Sequence, residues 1–560
     1  MRILIIVAFS LSCTSESVQS RPASGDAAGP AADAPAVPTD TATPIPSDEL
    51  TWHSRTRALV QSACVGCHTE GGVAPFSLAT LDDVVKMGPA VKAAVESGRM
   101  PPWTPDPTCR PMEGERLLAD DDRAALLAWL DEPVEGDPAA YVAPEAPAEP
   151  PPHALEVMPA LPYTASRAVP DDYRCLPLAY TFDRDTFVTG FDVFPSHRPI
   201  VHHVLLYVAG PADLELLQSL DDEDEGPGYT CYGGPRVGDG ATLGGWVPGS
   251  VGFHLPPGVA MLVPKGSKVI MQIHYNTLGL PPGEVAPAEQ TAVRFWTLGE
   301  DENPKYLARI VPFANGGIYI PAGEAESVQT LEETVPIPGT LIGTVPHMHT
   351  LGTRISASLE REGEPSQCVV NVPEWDFSWQ QFYLYPPEHY IDVRPGDVLK
   401  LTCVYDNSAA NQAVVNGVQV EPRDVRWGEG TLDEMCLNYL ILRMPYLPPD
   451  GSTVCPGFVP CATACGEGDL QCFLDCSLYA GFECAGCVLP ELGTCAAGNG
   501  CGEGLSRLVA CLDTCQSDRF ACLLGDCRED MSTVYDCVRP KLLEGACDAD
   551  LESCEVDFSK

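Results

Sequence analysis

A chain of 560 residues, 45% hydrophobic and 8% aromatic, is too long for one hydrophobic core and too apolar to stay disordered; about three or four domains are expected. The formal charge of −45, from 33 basic against 78 acidic residues, excludes nucleic acid and anionic membrane surfaces as partners and reads as a strongly solvated exterior. Its 25 cysteines exclude a reducing cytosol and point to an oxidising compartment with a disulfide framework.

In chain order, Arg2 precedes the apolar run "ILIIVAF" and then "SLSC", which reads as a signal peptide within residues 1–19. Export follows, to a periplasm, an outer-membrane surface or the medium. Cys13 is a candidate for the acylated residue of a bacterial lipoprotein, although Ser10 stands where such sites carry leucine. That lipid would be the sole membrane tie, since no later stretch approaches about 18 consecutive apolar residues. Residues 20–48, rich in Ala, Pro and Thr without an apolar period, read as a flexible linker.

Residues 49–131 form the first expected domain, mostly helical. "LATLDDVVKMGPAVKAAVESG" has helical spacing, and "ADDDRAALLAWLDE" opens with aspartates as candidate caps before an apolar face. Within it, "CVGCH" places Cys64 and Cys67 three apart, able to bond two porphyrin vinyl groups, with His68 next to ligate iron. The bland alternative is a disulfide or zinc knuckle that ends in histidine. In "SGRMPPW", Met100 is the sixth-ligand candidate, steadied by the prolines after it; Met87 and Met112 compete. The stretch resembles a small bacterial cytochrome c domain, which implies covalent haem c and electron transfer. A Pro-rich linker, residues 132–154, follows.

From 155 to 447 the texture becomes short β-rich runs between Gly/Pro turns, such as "IVHHVLLYVAG", "KVIMQIHYNT" and "GTLIGTVPHMHT". Such runs without intervening helices predict two β-sandwiches, 155–300 and 301–447. Five of the 11 histidines fall in these runs: His202, His203, His274, His347 and His349. Residues two apart on a strand share a face, so His347 and His349 can reach one ion. Adjacent His202 and His203 point to opposite faces of a regular strand, so they can share an ion only at a bulge, a sharp twist or a strand end.

The collinear motifs "HHVLLY", "QIHY", "HMH" and "DEMC", between "DDYRC" and "YLILRMPYL", resemble the copper type II, ascorbate-dependent monooxygenases, the peptidylglycine- and dopamine-hydroxylating family. The resemblance implies two copper ions, with His202, His203 and His274 holding an electron-storing ion in the first sandwich. His347, His349 and Met435 would hold the catalytic ion in the second, a soft thioether favouring Cu(I). It also implies an active-site role for Tyr439, a place for Gln272 beside an electron-transfer histidine, and disulfides Cys175–Cys231 and Cys403–Cys436. Cys368 is left without an evident partner. One departure matters: the peptide-amidating branch carries an arginine, which pairs with a peptide carboxylate, where this chain has Val345.

Residues 448–560 hold 16 of the cysteines, eight in 455–495 and eight in 501–554, and "CATACGEGDLQCFLDC" resembles "CLDTCQSDRFACLLGDC". This predicts a duplicated, disulfide-stapled helical module, with zinc binding as the alternative that export disfavours. The expected fold is thus mainly β and multidomain: two tandem antiparallel jelly-roll β-sandwiches, with a small α-helical cytochrome c domain before them and a disulfide-rich helical tail after. The expected function is hydroxylation of a C–H bond of a small-molecule substrate with O₂, electrons coming through the haem, an ascorbate-like donor or a redox protein. The rival reading is a non-catalytic copper- or haem-binding electron-transfer protein, which would have no need of Met435 and Tyr439.

Overall fold

The computed structural model describes residues 50–558 apart from 71–73, 75, 145–154, 169–170, 239–241, 248–251, 278–279, 282, 336–337, 378, 416–417, 448–454, 456, 467–468, 480–481, 515–526, 555 and 557. The expected signal peptide, Cys13, the first linker and residues 145–154 of the second lie outside the described residues, as do Cys515 and Cys522.

The N-terminal module is helical. A short π-helical turn, Trp52–Thr56, runs into α1 (Arg57–Ala63), followed by α2 (Leu81–Glu96) and α3 (Asp120–Asp131). Thr80 caps α2 in a reciprocal pair with Asp83, which satisfies donors that the first turn would otherwise leave free. In α3 the aspartates sit one step further in than expected. Ala119 occupies the cap without a side-chain bond, and Asp120, Asp121 and Asp122 lie in the first turn, where they favour the positive end of the helix dipole. Trp52, Val60, Val84, Leu126 and Trp129 form the core.

Between α2 and α3 the chain leaves this module and crosses to the second β-region as a strap. Cys109 is disulfide-bonded to Cys368, Asp106 N donates to Asn371 O at 2.8 Å, and Glu113 N donates to Leu384 O at 2.7 Å. Met112 is buried in the core of that second region, which removes it from competition as a haem ligand. The unpaired Cys368 of the sequence thus finds its partner 259 residues away.

The main strands are β1 (Asp171–Pro177), β2 (Thr186–Phe194), β3 (Val201–Ala209), β4 (Thr242–Trp246), β5 (Val259–Val263), β6 (Lys268–Asn276) and β7 (Ala292–Thr297) in the first half. The second half adds β8 (Tyr306–Ala314), β9 (Ser327–Thr334), β10 (Gly339–His347), β11 (Gly352–Glu360), β12 (Gln367–Val372), β13 (Val398–Tyr405) and β14 (Leu437–Pro445). In the first half one layer runs β7–β2–β5 and the other β4–β3–β6–β1, closing on Val188, Phe191, Leu206, Met271 and Phe295. Helix α4 (Leu214–Glu223) sets Leu217 and Leu220 against Ile270 and the Cys175–Cys231 disulfide on the outer face.

The second half opposes β8–β14–β10 to the four-stranded sheet β9–β13–β11–β12. Its core includes Met348, Leu359, Val370, Leu401 and Leu440. The halves are not separate packages. Strand β8 pairs with β5 and β4 of the first half and with β14 of the second. Ile310, Ile342, Val345 and Ile441 of the second half pack into the first core. This shared sheet fixes the two halves against each other.

The tail is helical, over Phe458–Ala464, Leu470–Tyr479, Phe482–Gly498, Gly502–Thr514 and Arg528–Leu543. Cys461–Cys476 and Cys511–Cys527 staple the two similar motifs, while Cys487–Cys554 and Cys495–Cys547 tie the first set of cysteines to the second. The tail therefore has one joint core. No described helix is long and apolar enough to cross a membrane.

Candidate active site and metal centres

A β-bulge resolves the difficulty of adjacent histidines. His274 on β6 pairs with His203 on β3, but Tyr275 pairs with Val201, so His202 is an extra residue. Val201 and Val204 consequently both face the first core, and His202 and His203 both turn away from it. Their Nδ1 atoms lie 3.3 Å apart. His274 joins them from the outer face of β6, and one ligand atom from each ring lies within 4.8 Å of the others.

His274 shows which nitrogen is available. Its Nε2–H donates to Asp171 Oδ1 at 2.9 Å, while its Nδ1 is buried without a hydrogen-bond partner. A buried nitrogen without a partner, beside two more imidazoles, fits a metal ion. Tyr173 stacks on the His274 ring, centroids 4.2 Å apart. Gln272 lines the same space, yet its Nε2 donates to Cys231 O at 2.8 Å and makes no described bond to a histidine.

His347 and His349 close the end of β10, their ring centroids 5.1 Å apart. Met348 between them is fully buried in the second core. His347 Nδ1–H donates to Gln380 Oε1 and His349 Nδ1–H to Asp433 O at 3.1 Å, so both rings keep Nε2 for a ligand. Met435 arrives from the loop before β14 and lines the same cleft. The Cys403–Cys436 disulfide fastens its neighbour to β13, and Tyr405 Oη donates to Met435 O at 2.8 Å.

Beneath this set lies Glu434, a residue that spacing did not single out. Its buried carboxylate accepts from His349 N at 2.9 Å, Leu351 N at 2.6 Å and Met435 N at 3.3 Å. It thereby clasps the histidine turn to the methionine loop. Burial pushes its carboxyl up to about 8, against those N–H bonds.

Burial also keeps four of these imidazoles neutral. His202 is held down at about 4, first by burial and then by His274; His347 is held at about 3, first by burial and then by His349. His203 and His349 are lowered for the same leading reason. Neutral imidazole is the form that ligates metal.

Both sets line one cleft of about 280 Å³. Phe377 stands between them, its ring centroid 5.5 Å from His202 and 6.0 Å from His349. Tyr439 lies opposite Val345 across β14 and β10, and burial pushes its phenol up to about 12. No lysine or arginine is among the described residues lining the cleft; Glu429 is its one acidic residue, pushed upward by burial.

Residues 322–456 match the family model for the copper type II ascorbate-dependent monooxygenase, C-terminal domain. That span holds His347, His349, Met435 and Tyr439. Curated relatives align over longer stretches than that span. Tyramine beta-hydroxylase of Caenorhabditis briggsae is 22% identical over 287 residues, 48% of this chain and 44% of its own length. Peptidyl-glycine alpha-amidating monooxygenase A of Xenopus laevis is 24% identical over 280 residues, 49% and 26% respectively. Dopamine beta-hydroxylase of Canis lupus familiaris is 29% identical over 116 residues, 20% and 16%. The chain thus spans under half the length of these relatives. Among solved structures, the major capsid protein P2 of bacteriophage PM2 aligns with 52% of this chain and 97% of its own at 9% identity, with a TM-score of 0.22 that does not bear on the fold.

In the helical module, Cys64 and Cys67 are the free cysteines among the described residues. Burial, and then the neighbouring Cys67, push the Cys64 thiol up to about 11. His68 Nδ1–H donates to Phe76 O at 3.1 Å, which again leaves Nε2 open. Met100 is half-buried just beyond α2, its N–H on Ala94 O at 3.1 Å.

Proposed function

We propose that the chain is an exported copper monooxygenase that hydroxylates a C–H bond of a small organic substrate with O₂. The observation that carries this reading is the convergence of His202, His203 and His274 with His347, His349 and Met435 on one cleft, the last three inside the span similar to copper monooxygenases. Copper held by these two sets would supply one-electron chemistry towards O₂ and substrate. The chain's own residues do the rest. The buried, neutral imidazoles of His202, His203, His347 and His349 are ready ligands without first losing a proton, and the Met435 thioether favours the reduced metal. Phe377, Val345 and Tyr439 wall the space where substrate would lie.

The cleft also bounds the substrate. At about 280 Å³ it stands at the small end of ligand cavities. With Val345 in its wall and no lysine or arginine among the described residues lining it, it disfavours a peptide C-terminus and favours a small neutral or cationic molecule.

Two free thiols and an imidazole with Nε2 open in the helical module suit covalent haem c, with Met100 as the sixth-ligand candidate that the sequence offers. Haem bound there would supply electrons, with an ascorbate-like donor as the other source. Ten disulfides among the described residues suit an oxidising, exported location.

Oxygen uptake with reductant, compared between wild type and His347→Ala, tests the enzyme reading. Loss of uptake is expected; equal uptake overturns it in favour of a non-catalytic redox protein. Full turnover by Cys64→Ser/Cys67→Ser protein with its physiological donor would overturn the haem branch alone.

A further inference from the structure

The loop 427–435 of the second half reaches both ligand sets, the histidine triad through Asp171 and Tyr173. It carries Met435, and Asp433 O accepts from His349 Nδ1. On its other side it meets the first half, where Thr431 Oγ1 donates to Asp171 Oδ2 at 3.3 Å and Tyr173 Oη donates to Glu429 O at 3.2 Å. Asp171 is thus double-ended. Its Oδ1 takes the Nε2–H of His274 at 2.9 Å and Asn276 Nδ2 at 3.2 Å, while its Oδ2 takes Thr431. Thr350, next to His349, returns to the same loop through Thr431 O at 3.4 Å.

We propose that Asp171 is a positioning residue shared by the two ligand sets: one oxygen orients His274, and the other, through Thr431, anchors the loop that presents Met435 and braces His349. The inference rests on the copper reading above. A carboxylate on the far nitrogen of a metal-ligating histidine fixes the tautomer and raises ring basicity, and its loss costs about 10–100-fold in metal affinity. Here the same group also bridges the interface between the halves. An imidazole-to-carboxylate-to-hydroxyl chain makes the geometry at one set depend on the other without any shared ligand. Thr431→Val cuts that chain while leaving every candidate ligand and the Asp171–His274 bond in place.

The test loads full-length protein with copper and reads each set by a signature that bulk folding does not mimic. Copper affinity and the Cu(II) electron paramagnetic resonance signal report the histidine triad. The sulfur scattering in Cu(I) X-ray absorption reports Met435. Asp171→Asn is expected to weaken the triad by about 10–100-fold and also to diminish the sulfur signal. Thr431→Val is expected to leave triad affinity unchanged and diminish the sulfur signal alone. Asp171→Asn that alters the triad alone, or Thr431→Val with undiminished sulfur scattering, overturns the shared role while the copper reading stands. Wild-type protein that binds no copper overturns both.

Discussion

The two ligand sets share a cleft but are built in opposite ways. His202, His203 and His274 lie on two neighbouring strands, and the register of β3 against β6, with its single bulge, assembles them. Behind them stands a carboxylate, Asp171. His347, His349 and Met435 join a strand end to a loop 86 residues further on, and behind the two histidines stand neutral acceptors, Gln380 and the Asp433 carbonyl. Charge behind a ligand favours the more highly charged metal, and a thioether among neutral groups favours the reduced one. On the copper reading proposed above, the difference would suit the triad to give up an electron and the second set to meet O₂.

The sharpest way to break the comparison is to substitute Met435→Leu. The volume is conserved, so the loop should keep its place. We expect hydroxylation to fall by more than about 100-fold, beyond the loss typical of an outer partner, while copper at the triad stays. Metal analysis alongside product formation checks this; a variant that keeps full turnover would contradict the assignment of Met435.

A second intervention attacks the scaffold of only one set. Cys403→Ser/Cys436→Ser removes the bond that fastens the methionine loop to β13. Bridges of this kind contribute about 2–4 kcal/mol, so denaturant unfolding should shift by that amount. Sulfur ligation should loosen while the triad's spectrum holds. An equal loss at both sets would mean that the disulfide serves the shared sheet and not Met435.

The same contrast explains what the sequence made legible. His347 and His349 could be joined on spacing alone, because a two-residue period is local. His202 and His203 looked ill-suited to one ion, because the bulge that turns both outward depends on how β3 registers against β6, 65 or more residues on. Gln380 and Phe377 carried no periodic or motif signal; Asp171 and Glu434 lie within "DDYRC" and "DEMC", but only the tertiary fold sets their carboxyl groups against the histidines. Cys368 had no visible partner for the same reason: Cys109 belongs to a strap inside a stretch expected to be self-contained. The mainly β region and the disulfide-rich helical tail were readable from alternation and cysteine density. The joining of the two halves through β8 was not, since it follows from pairings across the interface.

Proton linkage should sharpen the comparison in copper-free protein. Four imidazoles are lowered by burial, His347 to about 3 and His202 to about 4, from an ordinary value of about 6.5. Below about 6.5 the unfolded chain takes up protons that the folded one refuses. Stability should therefore fall as pH drops from about 6.5 towards 4. Glu434 runs the other way: raised to about 8, it makes the folded state gain stability as pH falls from about 8 to about 4.5. Thermal unfolding of apo-protein should peak near neutrality and decline on the acid side. In Glu434→Gln protein the alkaline slope should flatten and the acid decline persist; an unchanged alkaline slope would show that Glu434 is ionised when folded.

The smallest expected effect concerns the wall that the two sets share. Glu429 lines the cleft with no lysine or arginine among its described neighbours there, and its carboxyl is raised by burial alone. A cationic group on the substrate would supply the missing partner, and a hydrogen bond to a charged group contributes about 1.5–3 kcal/mol. Glu429→Gln keeps the shape and removes the charge, so KM for a cationic substrate should rise about tenfold or more, with kcat little altered. A neutral substrate of the same size should bind the variant as well as it binds wild type or better, because the cost of burying a lone carboxylate is gone. If KM moves equally for both substrates, Glu429 shapes the cleft and does not select by charge. The uncharged face at Val345 would then be left as the element of this cleft that sorts substrates.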